Sequence, residues 1–195
     1  FVNLMDLAPT FLEAGGVQPP QCMTGKSLLP VLKSETSGQV DPQRDFVVTG
    51  RERHVATARE GNLPYPQRAI RTKDYLYIIN FAPERWPAGD PCGLDDLNAR
   101  PPAYEALVEE NENTHGVFCD VDPSPTKAWM IHHRAEEHIQ PLFELGFGKR
   151  PREELYDIKN DPDHLHNVAD DAAYAEVRQE LNERLMQELR THNDP

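Results

Sequence analysis

The chain has 195 residues and carries 33 acidic against 20 basic side chains, for a formal net charge of -13. This length fits one domain of ordinary size, or one domain with a small partner, and the charge argues against non-specific binding to nucleic acid or to anionic membranes. No apolar run approaches the roughly 20 residues that a membrane span needs. The chain does not begin with methionine and shows no signal peptide. We therefore expect a processed or truncated piece, in which the missing signal says little about the compartment.

The first segment predicts an amphipathic helix over residues 3–14. Its apolar positions recur at helical spacing and are Leu4, Leu7, Phe11 and Leu12. Pro9 fits the first turn of a helix that begins near Asp6, and Gly15-Gly16 follow as a stop signal. Because a proline-rich connector comes next, we expect this to be the last helix of a larger domain, with its apolar side chains left uncovered.

The middle and the end of the chain predict four short strands and one long helix. The strands are Phe46–Thr49, Arg68–Arg71, Tyr75–Asn80 and Glu154–Asp157. The helix runs over Asp171–Arg190, and one of its faces is an apolar stripe that consists of Tyr174, Val177, Leu181, Leu185 and Leu189. Few strands, mostly joined as hairpins, favour an α+β fold: a small antiparallel β-sheet with packed helices.

A long loop is predicted over residues 82–125, and such a loop inside a compact domain is either functional or an insertion. A helix capped by Ser124, with Pro125 in its first turn, is predicted to follow and to reach Phe143. Three histidines on this helix, His132, His133 and His138, suggest a metal site. Because their spacing does not match an i, i+4 pair, a solvated helix face is the preferred interpretation.

Cationic side chains gather where the first strand ends: Arg51, Arg53, His54, Arg59 and Arg68. Arginine forks match the geometry of sulfate, phosphate and carboxylate, and a strand end that enters a loop is a usual place for site residues. One interpretation is therefore an anion pocket. The alternative is that these arginines pair with the many acidic residues of the surface, as is common and energetically weak.

No complete catalytic machinery is visible in the residues themselves. The chain has no G-x-S-x-G motif, phosphate-binding loop or dinucleotide fingerprint. Its three cysteines, Cys22, Cys92 and Cys119, form no C-x-x-C pair, so a zinc site built on them is not expected. They allow either one disulfide with one free thiol or three free thiols. Asp120 and Asp122 beside Cys119 disfavour a thiolate nucleophile there.

Three segments together resemble the sulfatases of the alkaline-phosphatase-like superfamily. Residues 4–32 contain D-x-x-P-T and then G-x-S-L-x-P-x-L, residues 65–81 contain A-x-R-T-x-x-Y-x-Y-I, and residues 154–163 contain E-L-Y-D-x-x-x-D-P. The segments GRERH at 50–54 and SPTK at 124–127 narrow the resemblance to the heparan N-sulfatase branch, the N-sulfoglucosamine sulfohydrolases and their bacterial relatives.

The resemblance implies the C-terminal portion of such an enzyme. Sulfatases oxidise the first residue of a C-x-P-S-R or S-x-P-S-R motif to formylglycine, and this chain has neither motif. Residues 1–40 would be the end of the large α/β domain and a connector, and residues 41–195 the C-terminal subdomain with its long loop. No cofactor is expected in this chain, which alone is expected to be inactive, whereas calcium and formylglycine are expected in the intact enzyme.

The resemblance also implies a function, the hydrolysis of sulfate esters or N-sulfate groups of a sulfated sugar. The implied substrate-binding residues are Arg51, Arg53, His54 and Lys127, with Arg150 a weaker candidate. A non-catalytic binding module and a phosphodiester or phosphonate hydrolase of the same superfamily stay open as alternatives. We expect a sulfated carbohydrate as partner, no nucleic acid and no membrane, self-association through the exposed N-terminal helix, and a periplasmic, extracellular or lysosomal compartment.

Overall fold

A computed structural model describes residues 1–94 and 114–194 of the chain. The strands are β1 Phe46–Arg51, β2 Gln67–Thr72, β3 Tyr75–Asn80 and β4 Glu153–Asp157. The α-helices are α1 Leu7–Ala14, α2 Leu29–Leu32, α3 Pro125–His132, α4 Gln140–Phe147 and α5 Ala175–Thr191. The middle of the loop predicted over residues 82–125 lies outside the described residues, and its described flanks contain neither helix nor strand apart from the start of α3.

The four strands form one antiparallel sheet in the order β1-β2-β3-β4, as the sequence predicts. Only Lys73 and Asp74 separate β2 from β3, which makes the predicted hairpin. One end of the sheet contains the end of β1, the start of β2, the end of β3 and the start of β4. This follows from the pairing, because Gln67 pairs with both Arg51 and Asn80, and Ile79 pairs with Glu153. The loops that leave this end of the sheet therefore share one side of the molecule.

The main core lies between the sheet and α5. Ile70, Tyr77 and Leu155 are register partners on three successive strands, and each is completely buried. The stripe predicted on the last helix covers this row, since Leu181, Leu185 and Leu189 belong to the same cluster. Burial of a leucine side chain contributes about 1.5–3 kcal/mol, so this contact holds the helix on the sheet.

A second apolar cluster lies under the loops and consists of Ala88, Val117, Phe118, Ile131, Phe143 and Phe147, with Trp86 packed against it. The ring of Phe118 stacks on Phe147 with centroids 5.0 Å apart, and it contacts Phe143 edge-on at 5.9 Å. Aromatic contacts of this kind add to the burial of the rings themselves. This cluster fixes α3 and α4 and the loop around Phe118.

The helix predicted from Ser124 to Phe143 is in fact two helices, so its predicted extent was wrong. Ser124 caps α3 as expected, since its Oγ accepts a hydrogen bond from the Lys127 N–H at 3.1 Å. The chain leaves the helix at His133 and starts α4 at Gln140. A continuous helix would place Pro141 in its interior, where proline removes a hydrogen bond and clashes with the preceding turn.

The interpretation of the three histidines as a solvated face was wrong for His132, which is only 6% exposed because α3 turns it inward. His133 stacks on the Trp129 ring with centroids 4.3 Å apart, whereas His138 points into solvent. In the described part of the chain, no group of three or more His, Cys, Asp or Glu side chains could hold a metal ion.

The N-terminal segment lies beside β1 and is tied to it. Asn3 Nδ2 donates to the Val48 carbonyl at 3.1 Å, and Asp6 forms an ion pair with Arg44 at 2.8 Å. The apolar side chains on its outer side are uncovered, as expected, with Leu4 83% and Phe11 68% exposed. No helix among the described residues has the length and apolar character needed to cross a membrane.

Candidate functional site

The candidate site lies in the loop that connects β1 to β2, at the end of the sheet described above. The chain leaves β1 at Arg51 and returns to β2 at Gln67. Gly50 allows β1 to pass closely over the buried Arg68 side chain, because a Cβ there would lie 2.9 Å from Arg68 Cδ. Across the loop, the Tyr65 N–H donates to the Glu52 carbonyl at 2.6 Å and closes its base.

One buried carboxylate, that of Asp120, organises this loop. Its Oδ1 accepts hydrogen bonds from the backbone N–H groups of His54 at 2.8 Å and Val55 at 2.7 Å. Its Oδ2 accepts from Arg59 Nη2 at 2.8 Å. Burial alone would raise the pKa of Asp120, but the bonds from Val55, Arg59 and His54 outweigh it and hold the pKa below its usual value.

The Arg59 guanidinium is only 3% exposed and binds protein groups on several sides. Its Nε donates to the Trp86 carbonyl at 2.7 Å, and its Nη2 donates to the Pro87 carbonyl at 2.8 Å. It also lies over the Tyr65 ring, 5.6 Å from the centroid. Arg59 therefore ties the loop to the segment after β3.

Arg51 and His54 keep large parts of their side chains in solvent. Arg51 is 48% exposed, and its Nη2 donates to the Asp120 carbonyl at 2.9 Å while lying 3.8 Å from Asp120 Oδ2. His54 is 57% exposed, and its Nε2 lies 3.2 Å from Asp122 Oδ1. Both side chains can donate hydrogen bonds to an anion or a hydroxyl group that approaches from solvent.

The other predicted site residues occupy different surroundings. Arg53 is exposed and donates to the Asn62 carbonyl within the same loop. Lys127 is 2% exposed, and its Nζ donates to the Phe118 carbonyl at 3.1 Å and the Val121 carbonyl at 2.9 Å. Burial lowers the pKa of Lys127. Arg150 donates to the Leu145 carbonyl.

Among the five clustered side chains, Arg59 and Arg68 are buried and bound by acids. Arg59 pairs with Asp120, and the buried Arg68 pairs with Glu52 at 2.7 Å and with Asp194 at 2.8 Å. Pairing with acids, the alternative of the sequence analysis, thus describes these two arginines, although Arg59 pairs with a buried acid and not with one on the surface. The side chains of the cluster that remain exposed at the loop are those of Arg51, Arg53 and His54.

Sequence reasoning did not connect Asp120 and Asp122 with the loop between β1 and β2. Their separation from the loop, 65 and 66 residues for the two backbone contacts of Asp120, hides the relation. The only sequence feature that pointed to these residues was the pair of alternating acids in the segment CDVD, residues 119–122. All three cysteines are free, with Cys22 and Cys92 exposed and Cys119 half-buried.

Comparison with curated proteins finds sulfatases along nearly the whole chain. An ulvan-active sulfatase of Formosa agariphila is 26% identical over 195 residues, which is 99% of this chain and 30% of that protein. N-sulphoglucosamine sulphohydrolase of Homo sapiens is 25% identical over 204 residues, which is 100% of this chain and 33% of that protein. The chain thus spans about a third or less of the length of these relatives. No protein-family model matches the chain.

Solved structures agree with the fold. A protein in complex with its substrate D-glucosamine-2-N,6-O-disulfate superposes with a TM-score of 0.53 at 20% identity, over 97% of this chain and 24% of that one. A 2-O GAG sulfatase superposes with a TM-score of 0.51 at 19% identity, over 97% and 25% of the two chains. The curated relatives confirm the resemblance to sulfatases, and the superpositions confirm the fold class.

Proposed function

We propose that this chain, which is similar to sulfatases along nearly its whole length, forms the C-terminal subdomain of a sulfatase that acts on an N-sulfoglucosamine-like sugar. The observation that carries the proposal is the alignment with N-sulphoglucosamine sulphohydrolase, which extends over the complete chain. The intact enzyme is expected in a periplasmic, extracellular or lysosomal compartment, with a sulfated carbohydrate as its substrate.

In this proposal the β1–β2 loop forms the rim of the substrate pocket. Arg51, Arg53 and His54 supply cationic and polar donors in a chain whose net charge is -13. Such donors attract and orient an anionic sugar, and binding energy from groups remote from the reacting bond can be used to hold that bond in position. Lys127, which is buried, would support the rim by holding the Phe118–Val121 loop rather than by touching the sugar.

Sulfate release itself belongs to another part of the intact enzyme. Calcium and formylglycine would supply the charge stabilisation and the nucleophile there. The described residues do not fit either group, because they offer no cluster of metal ligands and no cysteine in a C-x-P-S-R setting. We therefore assign to this chain the binding and orientation of the sugar.

The test uses the intact enzyme and the variants His54→Ala and Arg51→Ala. A charge-assisted hydrogen bond contributes roughly 1.5–3 kcal/mol, so we expect a loss of about tenfold or more in kcat/KM on an N-sulfated glucosamine substrate. Most of the loss should appear as a raised KM, with kcat falling only if the contact strengthens in the transition state.

His138→Ala is the matched control, because His138 is a solvent-exposed histidine outside the rim. It should leave kcat/KM unchanged. Normal kinetics of both rim variants, measured per active site, would contradict the proposed rim. Sulfate release by this chain alone, above a heat-killed sample, would contradict the division of roles between the two parts of the enzyme.

A further inference from the structure

We infer that Asp120 is the positioning residue of this rim: its buried carboxylate holds the backbone of His54, and its backbone carbonyl holds the side chain of Arg51, in place for a sulfated sugar. The inference rests on the proposed function for its ligand. It does not need Asp120 to contact the sugar, since the Asp120 side chain is completely buried.

The bonding of the carboxylate fixes the backbone at His54. The N–H groups of His54 and Val55 converge on one oxygen, Oδ1. Successive N–H groups that converge in this way form a concave site for a negative oxygen, and the peptide between them then has one orientation. Because the Cα of His54 is part of this arrangement, Asp120 also sets the position from which the imidazole extends.

The same residue also contacts a second rim side chain, that of Arg51. Arg51 Nη2 donates to the Asp120 carbonyl at 2.9 Å and lies 3.8 Å from the carboxylate. The nearer cation is Arg59, at 2.8 Å. Since the buried Arg59 neutralises the carboxylate at short range, Arg51 is held in position while its half-exposed guanidinium stays available to an incoming anion.

Asp120 itself has a rigid support. Its N–H donates to the Ala88 carbonyl at 3.0 Å, and the Phe118 N–H donates to the Asp90 carbonyl at 3.0 Å. The Lys127 ammonium binds the carbonyls of Phe118 and Val121 on either side of it. Groups that orient a binding residue must be fixed by such packing and hydrogen bonds of their own.

The test compares Asp120→Asn with Asp6→Asn in the intact enzyme. Asp6 is the matched control, because it is also buried and also accepts from two backbone N–H groups and one arginine, but it lies on the N-terminal segment. We expect Asp120→Asn to lose roughly tenfold in kcat/KM, mainly through KM. The folded fraction of Asp6→Asn should keep normal kinetics, whatever its melting temperature.

Hydrogen exchange gives a readout that does not depend on activity. In Asp120→Asn the amides of His54 and Val55 should exchange roughly tenfold faster or more, because their acceptor loses its charge, and Asp6→Asn should not change them. If Asp120→Asn folds poorly, Arg59→Lys is the second variant. It keeps the charge beside Asp120 but removes the Nε bond to Trp86, so we expect a smaller loss in kcat/KM and a smaller rise in the exchange of the His54 and Val55 amides.

The outcomes separate this inference from the proposed function. Unchanged exchange at His54 and Val55, or an equal kinetic loss in Asp6→Asn, would overturn the role of Asp120. If His54→Ala impairs catalysis but Asp120→Asn leaves kinetics normal, the positioning role is overturned while the rim stands. If exchange accelerates but His54→Ala, Arg51→Ala and Asp120→Asn all keep normal kinetics, the rim fails, and positioning for a substrate fails with it.

Discussion

Two buried aspartates hold two different parts of this molecule with nearly the same bonds. Asp6 accepts from the N–H groups of Asn3 at 3.0 Å and Lys26 at 2.8 Å, and from Arg44 at 2.8 Å. Asp120 accepts from two N–H groups and from Arg59 at 2.7–2.8 Å. In both, hydrogen bonds outweigh the effect of burial and keep the carboxyl pKa low.

We call each aspartate with its three hydrogen-bond donors a clamp. The Asp6 clamp and the Asp120 clamp differ in the surface that they hold toward solvent. The Asp6 clamp fixes a segment whose outer face is apolar, with Leu4 and Phe11 uncovered. The Asp120 clamp fixes a loop whose outer face carries Arg51 and His54. The same local chemistry therefore orders an apolar surface in one place and the proposed rim, with its exposed hydrogen-bond donors, in the other.

The largest expected effect comes from removing each carboxylate. Breaking a buried ion pair by deleting one partner costs about 3–5 kcal/mol, and we expect this for Asp120→Ala. Asp6→Ala should cost less, about 2–3 kcal/mol, because its pair keeps 9% of each side chain exposed, against 0% and 2% at Asp120 and Arg59. Urea denaturation gives both values, and the exposed Asp163→Ala serves as reference. A larger loss at Asp6 would reverse this ranking.

A smaller loss of stability is expected when only the loop that carries Asp120 loses hydrogen bonds. Lys127→Met keeps most of the buried side-chain volume but removes two hydrogen bonds to the loop that carries Asp120. We expect a loss of about 1–3 kcal/mol in the free energy of unfolding, because two buried carbonyls lose their partner. Unchanged stability combined with a raised KM in the intact enzyme would instead identify Lys127 as a direct ligand of the sugar.

Acid should weaken both clamps. The pKa of each carboxyl is lower in the folded than in the unfolded chain, so each contributes stability that is present above the unfolded value of about 3.9 and is lost as the pH falls through the folded value. Asp157 and Asp161, whose pKa values are also lowered, act in the same direction. The free energy of unfolding should therefore decrease as the pH falls below about 4.

The variants Asp6→Asn and Asp120→Asn should each show a shallower decrease on the acid side, since each removes one of the titrating groups. Urea denaturation over a series of acidic pH values provides the comparison. An acid dependence in either variant as steep as in the parent chain would show that its carboxyl does not contribute.

The smallest expected change in stability concerns the apolar surface of the Asp6 region. Leu4→Ser and Phe11→Ser should each alter the free energy of unfolding by about 0.5 kcal/mol or less, because both side chains are largely in solvent. Self-association should decrease, since large bare apolar patches are rare on monomers. Sedimentation measures it, and Leu165→Ser, an exposed leucine elsewhere, is the control. A parent chain that is monomeric at every concentration would refute the expectation.

Local pattern was enough for the elements of the sheet. The alternation around Ile70 and Tyr77, the short turn between their strands, and the leucine stripe ending at Leu189 all predict what the structure shows. These features depend on neighbours within a few residues, where periodicity and turn chemistry act directly. The start of a separate helix α4 was also within reach, because Pro141 does not fit a helix interior but fits a first turn.

The sequence by itself determined the order of the strands, the position of the last helix, the resemblance to sulfatases and the cluster of basic side chains that includes Arg51 and His54. Only the tertiary structure decided which cations stay exposed and which are buried in ion pairs. Arg59 and Asp120 are 61 residues apart. The burial of His132, which is 6% exposed, was likewise decided by the tertiary structure. Local propensity carries no information about such pairs, because they exist only once the sheet and the aromatic cluster have brought the segments together.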